Sequence, residues 1–297
     1  MIELNIDKLV MMSVMGEVAP PVVREHYRIT HDGKPMALPG VGGITYNVRV
    51  GDHAVGWAAD HVEPGVSVMN KDTHPMGERA ANTALNMYAA IGNTAVIVSG
   101  DAKGDRGFVT GKHGGIEHVL VDFQPETLDR MAVGDKILVK SYGLGMEILN
   151  YPAVKVMNID PQLLMSIDIA EKDGKLEVPV ARLVPAAVMG SGLGHPQVYT
   201  GDYDIQLFDE GTVLGYDLGT LKFGDIVAII DADHTYGRIY RKGAVTIGVV
   251  VHSACVIAGH GPGVTSVMTC SGGEIVPRME EKANIAYYLG LRPDVFK

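Results

Sequence analysis

Aspartate is followed by histidine at two places within eleven residues of this sequence. The segment GDHAVGWAADH, residues 51–61, contains the pairs Asp52–His53 and Asp60–His61. In one straight strand the two pairs would lie roughly 26 Å apart and would not share an ion. If the chain instead folds back in the middle of the segment, His53 faces Asp60 and Asp52 faces His61. Carboxylates and neutral imidazoles grouped in this way suit zinc, manganese or iron better than calcium.

The same pairs also fit a structural role, in which each aspartate caps a turn and each histidine is a half-exposed strand residue. A third pair, Asp233–His234, ends a predicted strand that begins at Ile226. Asp231 and Asp233 would lie on one face of that strand, where either is a candidate general base. His234 follows directly and joins the candidate metal ligands.

Two more histidines lie in the apolar region 245–264. His252 interrupts a run of valines, which favours a hydrogen-bonded core residue over a ligand. His260 stands in the sequence GHGPG, where the backbone can approach a ligand closely, and it is a catalytic candidate. Cys255 comes three residues after His252, so strand alternation would separate the two side chains and does not favour a Cys-His dyad.

The segment GDAKGDRGFVTGKHGG, residues 100–115, combines six glycines with cationic side chains. Glycines allow successive amide N–H groups to converge on an anion. We therefore predict that a carboxylate or phosphate binds at Lys103, Lys112, His113, Gly114 and Gly115. The alternative is a β-hairpin with a glycine-rich turn. The P-loop spacing and the dinucleotide fingerprint are absent from the sequence, so no nucleotide cofactor is expected.

The composition argues against several classes of protein. Of 297 residues, 46% are hydrophobic and 20% charged, which is typical of a globular chain with a sizeable core. The net charge of −10 and an aromatic content of 6% argue against nucleic-acid and membrane partners. Two cysteines and an N-terminus without a signal-peptide pattern predict a cytoplasmic protein. The low charge and many valines are compatible with a homo-oligomer.

Short β-branched runs separated by glycine, proline or polar turns predict a mainly β fold. We expect several small β-barrel-like subdomains with one or two short helices, at 78–91 and 279–289, each followed by glycine. The predicted division is an N-terminal β-rich domain, residues 1–155, and a C-terminal barrel-like domain, residues 156–297.

An internal similarity supports this β-rich prediction. The sequences LDRMAVGDKILV, residues 128–139, and LGTLKFGDIVAI, residues 218–229, both place Gly-Asp before a β-branched run. In such a turn the glycine supplies special backbone dihedrals and the aspartate caps the turn. The similarity is either an internal repeat or two turns of the same kind that arose independently.

Four motifs in order resemble the domain-of-unknown-function family 4438 of bacteria and archaea. They are PGVGGITYN, GDHAVGWAADH, GDAKGDRGFVTGKHGG and DADHTYGRIYRKGAVTIGVVVH. The resemblance covers essentially the whole chain, and it implies a mostly β protein with small barrels but no activity. The Gly-Asp strands and glycine-histidine loops are also similar in style to acetamidases and formamidases, β-rich metal-associated amide hydrolases. No motif of that second family matches here residue by residue.

These patterns lead to two hypotheses of function. The first is a metal-dependent, hydrolase-like enzyme that acts on a small anionic or amide-containing metabolite. Its zinc or manganese ion would be held by some of Asp52, His53, Asp60, His61 and His234. The second is a non-catalytic β-barrel protein that binds a small anion or assembles into an oligomer, with its histidines satisfying buried backbone groups.

Overall fold

The structure, a computed structural model, describes residues 2–296. These residues form seventeen strands: β1 (Met12–Val18), β2 (Arg28–Ile29), β3 (Pro35–Met36), β4 (Ile44–Thr45), β5 (Gly65–Met69), β6 (Thr94–Ile97), β7 (Arg106–His113), β8 (His118–Asp122), β9 (Lys136–Ser141), β10 (Lys155–Val156), β11 (Ala170–Lys172), β12 (Lys175–Val180), β13 (Arg182–Pro185), β14 (Ile226–Asp233), β15 (Ile239–Val250), β16 (Val264–Cys270) and β17 (Ile275–Met279).

The same part of the chain contains five short α-helices: α1 (Ala80–Tyr88), α2 (Pro125–Leu128), α3 (Pro161–Ser166), α4 (Glu210–Gly215) and α5 (Ile285–Tyr288). Single turns of 3-10 helix occur at Ile6–Lys8, Ala186–Val188 and Leu218–Thr220. None of the helices in residues 2–296 has the length and apolar character needed to cross a membrane.

The largest sheet closes on itself. Its strands follow the order β1-β9-β6-β7-β8-β5, with β4 attached beyond β5, and β5 also pairs with β1. The closing pair places Glu17 opposite Met69 and Val18 opposite Val68. The six strands therefore form a barrel, in which each of them has a hydrogen-bonded neighbour on both sides. This closure confirms the predicted mainly β, barrel-containing fold.

The remaining large sheet has the order β10-β16-β15-β14-β13, and a smaller one has the order β11-β12-β17. One apolar core connects these sheets with the first half of the chain. It includes Val50, Ile91 and Leu120 together with Ile226 and Ile247, all of them almost completely buried. The barrel and the five-stranded sheet are thus packed against each other over a shared core, and their junction holds the polar cluster described below.

The predicted Gly-Asp turns are confirmed. Gly134 and Gly224 have φ angles of +92° and +85°, conformations that L-residues avoid. The Asp135 carboxylate accepts a hydrogen bond from the Ala132 amide at 2.8 Å. The Asp225 carboxylate accepts one from the Lys222 amide, three residues earlier, at 2.8 Å as well. Each turn leads into a strand, β9 in the barrel and β14 in the second sheet.

Both predicted helices exist but are shorter than expected. The first helix ends at Tyr88 because the backbone of Ala89 is extended. The Ala90 amide then donates its hydrogen bond to the Asn93 side chain and not to a helix carbonyl. The second begins only at Ile285, since Met279 belongs to β17 and Asn284 caps the helix through the Ala286 amide. Local side-chain caps therefore set boundaries that helix-forming composition alone does not give.

Candidate metal centre

Eight acids and histidines meet where the barrel packs against the five-stranded sheet. The barrel side supplies His61, Glu63, His113 and His118, and the opposite side supplies Asp202, Asp204, His252 and His260. The barrel residues lie just before β5, at the end of β7 and at the start of β8. The opposite set lies in the segment between β13 and α4 and in the loop after β15. Strand ends and loops therefore converge on one point.

The first group of ligand atoms comes from His113, Asp202 and His252, which lie within 4.8 Å of one another and are all buried. His252 Nε2 is 2.6 Å from Asp202 Oδ2. Despite this short distance, neither atom makes a hydrogen bond of acceptable geometry. The two atoms thus form a close ion pair that is poorly directed for a hydrogen bond, and two ligands of a shared cation would be arranged in the same way.

The other ring nitrogens in this group are already occupied. His113 Nδ1 is 2.6 Å from Glu63 Oε1, and His252 Nδ1 is 3.0 Å from the Ser253 carbonyl oxygen. Each Nδ1 therefore donates to an oxygen, so Nε2 is the nitrogen of each ring that would bind an ion, with loss of its proton where it carries one. Hydrogen bonds of this kind orient and strengthen histidine ligands in metal sites.

The second group consists of His61, Asp204 and His260. His61 Nε2 and His260 Nδ1 are 3.1 Å apart, and His260 Nδ1 is 3.0 Å from Asp204 Oδ2. His61 Nδ1 lies 3.2 Å from Asp60 Oδ1, so this nitrogen has a carboxylate partner of its own. The Asp60 carboxylate in turn accepts a hydrogen bond from the Cys255 thiol at 2.8 Å.

The electrostatics of the cluster follow from burial and proximity. Burial disfavours the charged form of His252, but Asp202 and Asp204 outweigh it and raise its pKa well above the usual value. Burial likewise opposes ionisation of Asp204, yet His252, His260 and His61 hold its pKa well below the usual value. Carboxylates held ionised inside the protein attract cations strongly.

Beside the two groups lies a cavity of about 330 Å³, within the size range of small-molecule sites. Its wall contains His61, His113 and His260 from the cluster and the buried guanidinium of Arg238. Glycines form much of the rest: Gly114, Gly115, Gly192 and Gly201.

Gly263 is packed directly against the first group. A Cβ at this position would come within 1.9 Å of Asp202 Oδ2 and 2.2 Å of His252 Nε2. Its φ is not positive, so the need for glycine is steric and arises from the close approach of the backbone to the candidate ligands.

Six of the residues predicted from sequence lie in this region: Asp60, His61, His113, Gly114, Gly115 and His260. The backbone arrangement expected for residues 51–61 is not formed. The Gly51 and Ala54 amides donate to carbonyls of residues 221–223, whereas the Asp60 amide donates to Pro39. The two Asp-His pairs are thus held by different segments.

The other predicted metal ligands have other partners. Asp52 forms an ion pair with Arg292 at 3.1 Å. The backbone of His53 pairs with that of Lys222 in an isolated β-bridge, and the residue is exposed. His234 Nδ1 lies 2.6 Å from the Ser266 hydroxyl, and burial, assisted by Arg238, lowers its pKa to about 3.

Four further predicted residues belong to neither group of ligand atoms. Asp231 accepts the Gly243 amide at 2.7 Å, and Asp233 forms an ion pair with Arg241 at 2.7 Å. Lys103 is exposed. Lys112 is fully buried, donates to Asn158 Oδ1 at 2.7 Å and to the Tyr199 carbonyl at 2.6 Å, and burial lowers its pKa to about 7.

Sequence reasoning missed Glu63, His118, Asp202, Asp204 and Arg238, and it treated His252 as a core residue. A signal for the two aspartates was present in GDYDI, where they stand two residues apart, as Asp231 and Asp233 do. In an extended segment this spacing places both carboxylates on one face. His252 offered no such signal, because its partners are far away along the chain.

Comparisons with known proteins agree with the motif resemblance. Residues 27–165 match the family described as Domain of unknown function (DUF4438), N-terminal, and residues 166–289 match Domain of unknown function (DUF4438), C-terminal. The crystal structure of TM1086 is similar, with 52% sequence identity and a TM-score of 0.91 over 97% of this chain and 99% of that one. Among the curated proteins none matches the chain. The cluster takes residues from both matched regions, and the chain belongs to the DUF4438 family.

Proposed function

We propose that this protein is a metal-dependent, hydrolase-like enzyme that acts on a small anionic or amide-containing metabolite. The contact between His252 Nε2 and Asp202 Oδ2 carries the proposal. These buried atoms lie 2.6 Å apart and lack hydrogen bonds. Each atom has the other as its ion-pair partner but makes no well-directed hydrogen bond, and a cation bound between them and His113 would satisfy both.

The donor set favours zinc or manganese. Imidazole nitrogen together with carboxylate oxygen suits both ions, and three protein ligands would leave a coordination position open for catalysis. A divalent ion held by His113, His252 and Asp202 would supply a Lewis acid and lower the pKa of a water molecule toward neutrality.

Arg238 supports an anionic substrate. The residue is 3% exposed, yet it forms no direct ion pair with any residue of the described range 2–296. It donates to the Thr200 carbonyl at 2.9 Å, while its Nε has no partner. Asp202, Asp204 and Glu117 act on this guanidinium electrostatically. Because none of them pairs with it directly, it is suited to bind a carboxylate or phosphate group of a ligand.

Glu117 is our candidate for proton transfer. Glu117 lines the same cavity, and its backbone has a φ of +60°, which is uncommon for a residue with a side chain. The Glu117 carbonyl accepts hydrogen bonds from Asn82 and Asn86, both at 3.0 Å, and these hold the conformation in place. Strain maintained in this way is common at functional sites.

Elemental analysis of the purified protein tests the proposal. The wild type should retain zinc or manganese after dialysis, and the His252→Ala and Asp202→Asn variants should retain less of it. His195→Ala is the matched control, because His195 lines the cavity but belongs to neither group of ligand atoms. Metal content that is the same in all four proteins would contradict the assignment.

Activity would then be assayed on amides with and without a carboxylate, by following the released amine. The metal-loaded wild type should prefer the carboxylate-bearing amides, and Arg238→Met should lose that preference while keeping its metal. Equal rates on both classes would contradict the role given to Arg238.

Arg238 also supports the second candidate function, the binding of a small anion without catalysis, since an anion could occupy its side of the cavity without a metal. A thermal-shift screen separates the two functions. Stabilisation by small carboxylates alone, without any response to zinc or manganese, would favour the binding protein.

A further inference from the structure

We infer that the centre holds two divalent ions, one on each group of ligand atoms, with the Asp204 carboxylate bridging them. The inference rests on the metal assignment of the proposed function and extends it to a two-metal site. It is carried by three features of the second group: the spacing of its ligand atoms, the position of Asp204 and the support behind His61.

The spacing in the second group is that of ligands around one ion. Ligands about 2.0–2.1 Å from a tetrahedral zinc ion are roughly 3.3 Å from each other. His61 Nε2 and His260 Nδ1 are 3.1 Å apart, and Asp204 Oδ2 lies 3.0 Å from His260 Nδ1 and 3.9 Å from His61 Nε2. The three atoms thus already form one face of a coordination polyhedron.

Asp204 faces both groups with different oxygen atoms. Its Oδ2 belongs to the second group, whereas its Oδ1 lies 3.6 Å from His252 Nε2 of the first. A carboxylate with one oxygen toward each ion can bridge them, and in two-metal hydrolytic sites the ions lie about 3.5–4 Å apart. Asp204 is almost completely buried, so its position is fixed by the fold.

The support behind His61 prepares Nε2 for a metal. Asp60 occupies the other nitrogen, and Asp60 is itself held by the Cys255 thiol and by Arg28, whose Nε is 3.1 Å from Asp60 Oδ2. A carboxylate, a histidine and a metal in sequence are a recurring unit of metal sites. The first group has the same unit, since Glu63 supports His113.

The second ion would be the one nearer to the substrate. The His260 side chain is 35% exposed, whereas that of His252 is completely buried. His61 and His260 also line a neighbouring cavity of about 790 Å³ that opens beside the first. A pair of ions can clamp both the attacking and the leaving oxygen of a hydrolysed group. The substrate class is therefore an acyl or phosphoryl compound that also carries an anionic group for Arg238.

The test is metal stoichiometry, measured by equilibrium dialysis of the full chain against zinc and, separately, manganese. The wild type should bind two ions per chain, His260→Ala one, and the control His195→Ala two. Manganese-loaded wild type should give the electron paramagnetic resonance spectrum of a spin-coupled pair, which His260→Ala should lack. The wild-type measurements do not depend on whether any variant folds.

Each outcome of these measurements either supports or overturns the bridged pair of ions. Two ions with a coupled spectrum support the inference. One ion per chain at saturation, or two ions without coupling, overturns the bridged pair but leaves the proposed function standing. No bound ion overturns both proposals.

Discussion

Glu63 is a buried carboxylate whose hydrogen bonds determine how two histidines are oriented. It accepts from His113 at 2.6 Å and from His118 at 3.0 Å, and also from the Ser67 hydroxyl and the Gly42 amide. Burial opposes its ionisation, but the two histidines hold its pKa well below the usual value. Glu63 is therefore ionised and fixes the tautomer of His113 without contacting the cavity itself.

We expect Glu63→Gln to weaken metal binding by about 10–100-fold, the usual effect of losing a carboxylate that supports a histidine ligand. The glutamine side chain would place an N–H donor against the N–H donors of His113 and His118, so at least one of these hydrogen bonds would be lost. Titration with zinc against a chromophoric chelator measures the affinity. The exposed Glu210→Gln is the control, and equal affinities in the two variants would show that Glu63 does not orient a ligand.

Gly263→Ala should damage the centre by steric contact alone. The new methyl group would overlap Asp202 Oδ2 and His252 Nε2, at 1.9 and 2.2 Å, and would displace both from ligand positions. We expect a loss of zinc affinity of about 10-fold or more. Gly215→Ala is the control, because a Cβ there meets nothing within 4 Å. Unchanged zinc affinity in the Gly263 variant would place the ion elsewhere.

The sequence revealed those site residues that have a local pattern. Asp60 and His61 were indicated by the repeated pair, His113 by its glycines, and His260 by the GHGPG loop. The contact between His61 and His260 joins residues 199 positions apart, and no local pattern encodes that distance. His252 has ordinary valine neighbours, so only the folded chain reveals its role.

At the scale of elements, the Gly-Asp turns show what local chemistry determines. Gly134 and Gly224 were predicted to adopt special dihedrals, and both do. Closure of the barrel was not predictable in this way, because β1 pairs with β9 and β5 at long sequence separation. The sequence therefore predicts turns and strands but not which strands become neighbours.

Replacing the two turn glycines by alanine should give different losses of stability. Gly134→Ala should lower the free energy of unfolding by about 1–2 kcal/mol through backbone strain alone, since a Cβ there meets nothing within 4 Å. Gly224→Ala should cost about 1–3 kcal/mol more, because its Cβ would lie 2.6 Å from Val50 Cγ1. Urea unfolding measures both values, and equal losses would mean that the surroundings of Gly224 relax freely.

The aspartate of the second turn should make stability depend on pH. Burial raises the pKa of Asp225 to about 6 from 3.8, against hydrogen bonds from Asn284 and Lys222 that favour ionisation. The folded state therefore keeps a proton that the unfolded state releases, and this contribution to stability falls as pH rises from about 4 to about 6.

At roughly 1.4 kcal/mol per pKa unit, wild type should lose about 2 kcal/mol relative to Asp225→Asn between about pH 4 and pH 7. The measurement is the free energy of urea unfolding of both proteins across this range. Parallel pH profiles would show that Asp225 ionises normally in the folded state.

At the scale of the whole molecule, the two halves that the family divides are joined by a common core and a common polar cluster. Val50 and Leu120 pack in one core with Ile226 and Ile247. The candidate ligands also come from both halves, so an ion bound there would link them as well. Metal binding should therefore stabilise both halves together, by about 2.7 kcal/mol at a free ion concentration 100 times the dissociation constant.

The shared core predicts that the halves unfold together even in the presence of a chelator. Trp57, the one tryptophan of the chain, reports on the first half by fluorescence, and the buried Cys270 reports on the second by thiol labelling and mass spectrometry. Their urea midpoints should coincide, because loss of either half exposes the core of the other. Zinc should then raise both midpoints equally. If the Trp57 and Cys270 midpoints separate, the halves are independent domains, and the polar cluster lies at an interface that does not couple their unfolding.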